Sequence, residues 1–195
     1  MPKPLGKEYF SRYGADTPGY KKIDYSKNWR DYTFVLDEVI EAYRTRFGED
    51  PKTFLDIGAA DGSLLRKAAR RGLKARGIEN SPYILGRIKD PKTRALIKKA
   101  DAAVEVRSLK AKAYDIVVEC VAQYLPPGRV DGYLKQVSRI CSRMVCLLVD
   151  AKGYDGIRSG PHTGVQTFES RSWWKRKMFS HGFRKCEKDF YFFKN

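Results

Sequence analysis

The stretch TFLDIGAADGSLLRKAARRGLKARGIENSP, residues 53–82, decides how this chain is read. Thr53 to Ile57 is a short apolar run, the pattern of a buried strand. Gly58 to Gly62 is a tight turn of small residues, where glycine lets the backbone take unusual dihedrals and lets a ligand come close. Ser63 to Arg71 is a helix rich in Leu, Ala and Arg, and Gly72 ends it. Lys74 to Ile78 is a second strand. Strand, turn, helix and strand at this length make a βαβ unit, so the two strands lie parallel.

The alternation extends outward from that unit. Upstream, Trp29 to Phe47 is helical, with Tyr32, Val35, Leu36, Val39, Ile40 and Tyr43 on one stripe, and Glu49-Asp50-Pro51 stops it. Downstream, Pro82 to Lys89 makes a short helix and Arg94 to Ala100 a third strand. Tyr114 to Cys120 (YDIVVEC) is the clearest strand after the first. Arg129 to Cys141 is an amphipathic helix and Arg143 to Val149 another buried strand. Residues 151–167 are Gly-rich and loop-like. Glu169 to His181 is a helix ended by Gly182, and Arg184 to Phe193 supplies one or two closing strands. Apolar strands separated by amphipathic helices mean a mostly parallel sheet covered on both faces. The fold class is therefore α/β, a Rossmann-like doubly wound sheet of six or seven strands with helices on both faces. Residues 29–195 form this one domain. Residues 1–28 form an irregular arm with Tyr9, Phe10, Tyr13, Tyr20 and Tyr25, aromatics suited either to close over a ligand or to pack on the sheet edge.

In such sheets a ligand binds beyond the carboxyl ends of the strands, beside the first one. Here that place is the Gly58–Gly62 turn. Glu79 stands 17 residues past Gly62 at the end of the second strand, and its acceptor-only carboxylate can take both hydroxyls of a ribose. The residues thus point to a nucleoside-containing ligand. The spacing D-x-G-x-x-x-G (Asp56, Gly58, Gly62) departs from the G-x-G-x-x-G of dinucleotide sites.

FLDIGAADG resembles the first motif of class I S-adenosylmethionine-dependent methyltransferases, usually LDIGCGTG, with Ala60 where the middle glycine commonly lies. GIENSP resembles the second motif, KKADAA the third, and YDIVVEC with VAQYLP the fourth. HGFRKC resembles the GF that follows the last helix. The resemblance covers about residues 29–193 in element order. It implies an enzyme with S-adenosylmethionine as cofactor. Gly58, Ala59 and Gly62 would pass their backbone close to it, and Asp56 would order the turn and approach its amino acid end. Glu79 would grip the ribose, with Asn80 beside the adenine, and Asp101 and Ala102 would cap the adenine edge. Glu105 is the alternative third-motif acid on another alignment. Glu119 and Cys120 would line the pocket near the sulfonium.

Methyl transfer needs mainly alignment of nucleophile, methyl and sulfur, and a base only if the acceptor proton must leave early. Glu119 at the end of the fourth strand and His162 in the loop after the fifth are the catalytic candidates, and Asp150 at the end of the fifth strand is a further candidate base. The acceptor is not read from the sequence. After the fourth strand ECVAQYLPP lacks the D/N-P-P-Y/F/W tetrad of enzymes that methylate base amino groups. The K-D-K-E tetrad of ribose 2′-O-methyltransferases would want Asp where Glu119 stands. The acceptor site must be built from the 1–28 arm, the 121–128 loop and the 151–168 loop, for a small molecule or a nucleic acid.

Composition sets the outer bounds. The chain has 195 residues, 42% hydrophobic and 32% charged, and 12 Tyr, 10 Phe and 3 Trp exclude a solvated coil. No apolar run reaches the ~20 residues of a membrane span, and MPKPLGKEYF has no apolar signal core, so a cytoplasmic protein is expected. Cys120, Cys141, Cys146 and Cys186 form no C-x-x-C pair and share no ligand spacing with His162 or His181, so no metal site is expected. Lys and Arg number 39 against 23 Asp and Glu, a formal charge of +16, with pI near 9.7. Such a field attracts polyanions. Arg171, Lys175, Arg176 and Lys177 flank Trp173 and Trp174, a pairing that suits single-stranded nucleic acid, although helical spacing sends one side of that pair to the core. The rival reading is a non-catalytic basic nucleic-acid-binding protein that keeps the fold.

Overall fold

A computed structural model describes residues 6, 7, 9, 34–152, 164–188 and 190–195. His162, most of the 1–28 arm and the start of the helix read from Trp29 lie outside them. In chain order the elements are α1 (Phe34–Phe47), β1 (Thr53–Ile57), α2 (Ser63–Arg70), β2 (Lys74–Glu79), α3 (Pro82–Leu85), α4 (Pro91–Ala95), β3 (Ile97–Lys99), α5 (Ala102–Ser108), β4 (Tyr114–Glu119), a 3-10 turn (Ala122–Tyr124), α6 (Pro127–Ile140), β5 (Cys141–Leu147), β6 (Ala151–Lys152), β7 (Glu169–Ser170), α7 (Arg171–Ser180), β8 (Lys185–Glu187) and β9 (Tyr191–Phe193).

The main sheet has seven strands in the order β3-β2-β1-β4-β5-β9-β8. The first five run parallel, and β9 enters antiparallel between β5 and β8. Strand order reverses between β1 and β4, which leaves a crevice at their carboxyl ends. The two faces carry separate cores. Val35, Leu36, Val39, Ile40 and Tyr43 of α1 and Leu65 and Ala68 of α2 cover Phe54, Ala75, Ile116 and Val118. Val106 of α5, Val130, Leu134 and Val137 of α6 and Trp174 and Met178 of α7 cover Leu55, Ile57, Val117 and Val145. Each such side chain, fully buried, contributes about 1.5–3 kcal/mol, so Val117→Asp would place an unpaired charge at the centre of the sheet. Arg139 joins two helices of the second face: its guanidinium donates to the carbonyls of Leu109 (2.7 Å) and Val106 (2.9 Å) at the open end of α5.

The structure corrects several of the expected bounds: the short helix from Pro82 ends at Leu85, the helix expected from Arg129 is Pro127–Ile140, and the strand expected from Arg143 is Cys141–Leu147. Arg94 to Ala100 is a strand only over Ile97–Lys99, because Pro91–Ala95 is helical. Asp90 caps that helix by accepting the amides of Lys92 and Thr93, and Pro91 sits at its first position, where a missing N–H costs nothing. The last helix starts at Arg171 rather than Glu169, because Glu169–Ser170 pairs in parallel with Ala151–Lys152. The Ser170 hydroxyl then accepts the amide of Trp173 as its cap. Between β3 and β4, Ala102–Ser108 forms a helix that the sequence reading left unassigned, capped by Asp101 through the Ala103 amide (2.8 Å). Among the described residues no helix is long and apolar enough to cross a membrane, and no group of His, Cys, Asp and Glu can hold a metal ion.

Candidate functional site

The crevice is built on the turn between β1 and α2. The amides of Gly58 and Ala59 both donate to the carbonyl of Ile78 (2.9 and 3.0 Å), so the turn is fastened to the end of β2. Gly58 has φ +87°, and a Cβ there would lie 2.6 Å from the Cys120 sulfur. Gly62 has φ +73°, and a Cβ there would meet Thr93 at 2.7 Å and Ile97 at 2.9 Å. Ala60 takes the left-handed conformation, φ +47°, at roughly 1–2 kcal/mol for an L-residue. Asp61 closes the turn on α2 by accepting the Ser63 amide and hydroxyl, each at 2.9 Å.

Glu79 ends β2 under this turn and is 8% exposed. One carboxylate oxygen accepts the Ala60 amide at 2.9 Å and the other the Ser81 amide at 2.7 Å. Burial raises its pKa, while the amides of Ser81, Ala60 and Asn80 pull it down. Each oxygen keeps a second lone pair, so both can still receive hydroxyl donors. Asp56 is 5% exposed and has no hydrogen-bond donor among the described residues. Burial first, then the neighbouring Glu79 and Asp61, pushes its pKa up to about 7. Alternation along β1 and β2 puts Asp56 and Glu79 on the sheet face that α2 covers.

Glu119 leaves β4 opposite Ile57, on the other face. It is fully buried. One oxygen accepts the amides of Val121 (2.6 Å) and Ala122 (2.8 Å) and the hydroxyl of Tyr133 (2.9 Å), the arrangement of a turn cap, and the other oxygen has no partner among the described residues. Burial outweighs those three donors and pushes its pKa up to about 7. Cys120 turns toward the crevice, and its thiol donates to the carbonyl of Ile57 at 3.1 Å. Burial and the carboxyls of Asp56, Glu119 and Glu79 hold that thiol well above its ordinary value, so it is neutral and no nucleophile. Asp101 caps α5 just past the end of β3, whereas Glu105 lies inside α5 and pairs with Lys98 (2.8 Å). Asn80 and Ala102 follow the ends of β2 and β3.

Two contacts border the crevice on the β4 side, and both are made by segments that the sequence singles out, the arm, the 121–128 loop and the 151–168 loop. The amides of Gln166 and Thr167 donate to the carbonyl of Gln123 (2.9 and 3.0 Å). The Gln123 side chain accepts the amide of Asp150 (2.6 Å). This docks residues 164–168 on the turn after β4. Tyr9 then spans the mouth. Its ring packs on the cluster of Ala60 and Ile84, as Tyr83 does, on the β2 side, and meets Tyr124 edge-on, with the two hydroxyls hydrogen-bonded, on the β4 side. The aromatic density of the arm was the signal for such a contact, without a sign of which ring would make it.

Three solved structures share this architecture. Magnesium protoporphyrin IX methyltransferase from Synechocystis PCC 6803 with bound SAH superposes with a TM-score of 0.62 and 17% identity, over 97% of this chain and 98% of that chain. A SAM-dependent methyltransferase from Archaeoglobus fulgidus gives 0.56 and 16%, over 83% and 80%. The [4+2]-cyclase SpnF gives 0.59 and 20%, over 87% and 63%. No family model matches the chain, and no curated protein is similar to it in sequence. The chain has the Rossmann-like fold of class I S-adenosylmethionine-dependent methyltransferases. A fold of this kind hosts more than one reaction, so the reaction has to be argued from the crevice.

Proposed function

We propose that this protein is an S-adenosylmethionine-dependent methyltransferase whose cofactor lies across the Gly58–Gly62 turn. The observation that carries the reading is the pair of buried carboxyls, Asp56 and Glu79, on one side of that turn in a chain of formal charge +16. A crevice lined by carboxyls repels the phosphates of a dinucleotide and favours a nucleoside that is cationic. S-adenosylmethionine has a sulfonium and an ammonium against one carboxylate, and so fits in sign. Glu79 has the two free lone pairs that a ribose diol needs, and Asp56 has no donor until an ammonium supplies one.

When bound, the cofactor supplies the electrophilic methyl, and the chain supplies alignment and exclusion of water. The turn fixes the backbone beside Glu79, Asp101 closes the adenine side at the end of β3, and Tyr9 with Tyr124 narrows the mouth at the β4 end. The acceptor enters between Tyr9, the turn at 122–125 and residues 164–168. Glu119 holds that turn through Val121, Ala122 and Tyr133 and is a positioning residue rather than a base in this reading.

Calorimetry with S-adenosylmethionine and S-adenosylhomocysteine tests the proposal. Micromolar binding that Glu79→Ala abolishes supports it. Absence of heat from a folded wild-type protein overturns it.

A further inference from the structure

The positive charge of this chain is concentrated on one flank, apart from the cofactor crevice. Residues 64–112 hold 15 Lys and Arg against four Asp and Glu. All four acids are already engaged by the chain's own groups. Glu79 is buried on two amides, Asp90 and Asp101 cap helices, and Glu105 pairs with Lys98. The cations are left over. Arg70, Lys74, Arg76, Lys92, Lys99 and Lys110 are exposed, and none has a carboxylate partner among the described residues.

The topology brings these side chains to one edge. β3 is the outermost strand and pairs with β2 only from Gly77 to Glu79, so Lys74 to Arg76 is itself an open strand edge. Arg70 ends α2 just before that strand. Lys92 lies on α4 ahead of β3, and Lys110 follows α5, which packs on β2. Lysine on an open edge discourages strand addition, which accounts for Lys74 and Lys99. It does not account for Arg70, Lys92 and Lys110, which lie on no strand. A protein partner is disfavoured by the absence of an apolar centre: among the described residues Val104 is the one large hydrophobic left exposed.

We propose that this flank binds the phosphodiester backbone of a nucleic acid. Guanidinium and ammonium groups there meet phosphates, release counterions and fix the strand without reading its sequence. Lys99 lies opposite Glu79 in the strand register, so a strand on the flank passes the adenine end of the crevice. The binding requires no cofactor and stands apart from the transferase reading.

The test is fluorescence anisotropy on the full chain with labelled oligomers of about 20 nucleotides, as single-stranded RNA, duplex RNA and duplex DNA, from about 50 to 200 mM salt. The expected result is binding in at least one arm that weakens about tenfold or more across that range. The variant R70E/K74E/R76E/K92E loses about tenfold or more at low salt, and its affinity for S-adenosylhomocysteine stays that of the wild type. If it fails to fold by circular dichroism, the same four positions as Gln are used. Absence of binding in every arm overturns the proposal. So does salt-insensitive binding, or a variant within twofold of the wild type. Calorimetry on the same preparations reports the cofactor site separately, so failure of either reading is distinguishable from failure of the other.

Discussion

Glu79 accepts the backbone amide of Ala60 at 2.9 Å, across 19 residues of sequence. The carboxylate proposed to hold the ribose is thus also the clasp of the turn. This makes Glu79→Gln informative as well as Glu79→Ala. Gln keeps one carbonyl acceptor and presents an amide donor where the Ala60 or Ser81 N–H already points. A charge-assisted hydrogen bond is worth about 1.5–3 kcal/mol, so Gln is expected to weaken S-adenosylhomocysteine about 10- to 100-fold. Glu79→Asp, one methylene shorter, should also lose the clasp. Calorimetry reads both. Equal affinity for Gln and Glu would mean that the ribose is held elsewhere.

The turn makes opposite demands at two neighbouring positions. Gly58→Ala adds a Cβ 2.6 Å from the Cys120 sulfur at φ +87°. It is expected to destabilise by at least about 2 kcal/mol through clash and left-handed strain. Ala60→Gly relieves the strain at φ +47° but gives up a buried methyl against Ile84 and Tyr9. The two effects are each about 1 kcal/mol, so stability should change by less than about 1 kcal/mol. Urea denaturation distinguishes the two cases. A large loss in Ala60→Gly would show that the methyl, not the dihedral, governs this position.

Tyr9 makes the third case. Its ring closes on Ala60 and Ile84, and its hydroxyl meets that of Tyr124. Tyr9→Ala removes both contacts, whereas Tyr9→Phe removes only the hydrogen bond, a loss of about 0.5–1.5 kcal/mol. Dissociation of S-adenosylhomocysteine should quicken about two- to tenfold in Tyr9→Phe and about tenfold or more in Tyr9→Ala. Stopped-flow displacement measures both. No change in Tyr9→Ala would confine Tyr9 to the ligand-free fold.

The βαβ unit was legible because its signals are local. The apolar run to Ile57, the glycines at 58 and 62 and the stop at Gly72 each act within a few residues. What stayed hidden depends on partners distant in sequence. The cap of Asp90 on α4 was a readable Asp-Pro signal, yet the run Arg94 to Ala100 masked it because Leu96 and Ile97 suit a strand as well. Trp173 and Trp174 split as helical spacing requires: Trp174 is 2% exposed, while Trp173 stacks edge-on against it beneath Lys177. The environment of Glu119 was not legible. Only the register opposite Ile57 and the position of Tyr133 on α6 show that its carboxyl turns to the second face.

Asp56 and Glu119 set the pH behaviour. Their ordinary values are 3.8 and 4.5, and burial raises both to about 7. A raised acid holds its proton longer in the folded chain than in the unfolded one. Its contribution is therefore whole below the unfolded value near 4, and is lost as pH rises through about 7. Asp115 acts in the other direction. The amides of Lys52 and Thr53 and the hydroxyls of Thr53 and Ser142 hold its pKa below the ordinary value despite burial. Its contribution is present above that value and lost as pH falls through the lowered one. Stability should peak near pH 4–5 and decline toward pH 7.5. Asp56→Asn and Glu119→Gln should each flatten the decline. Cofactor affinity should run the opposite way, because the ligand's ammonium prefers the ionised Asp56. It should rise by up to about tenfold per pH unit below pH 7 and then level, and Asp56→Asn should abolish the rise. Urea titrations and calorimetry at matched pH measure the two trends. A stability that increases from pH 5 to pH 7.5 would overturn the raised values, and an affinity indifferent to pH would remove Asp56 from the ligand site.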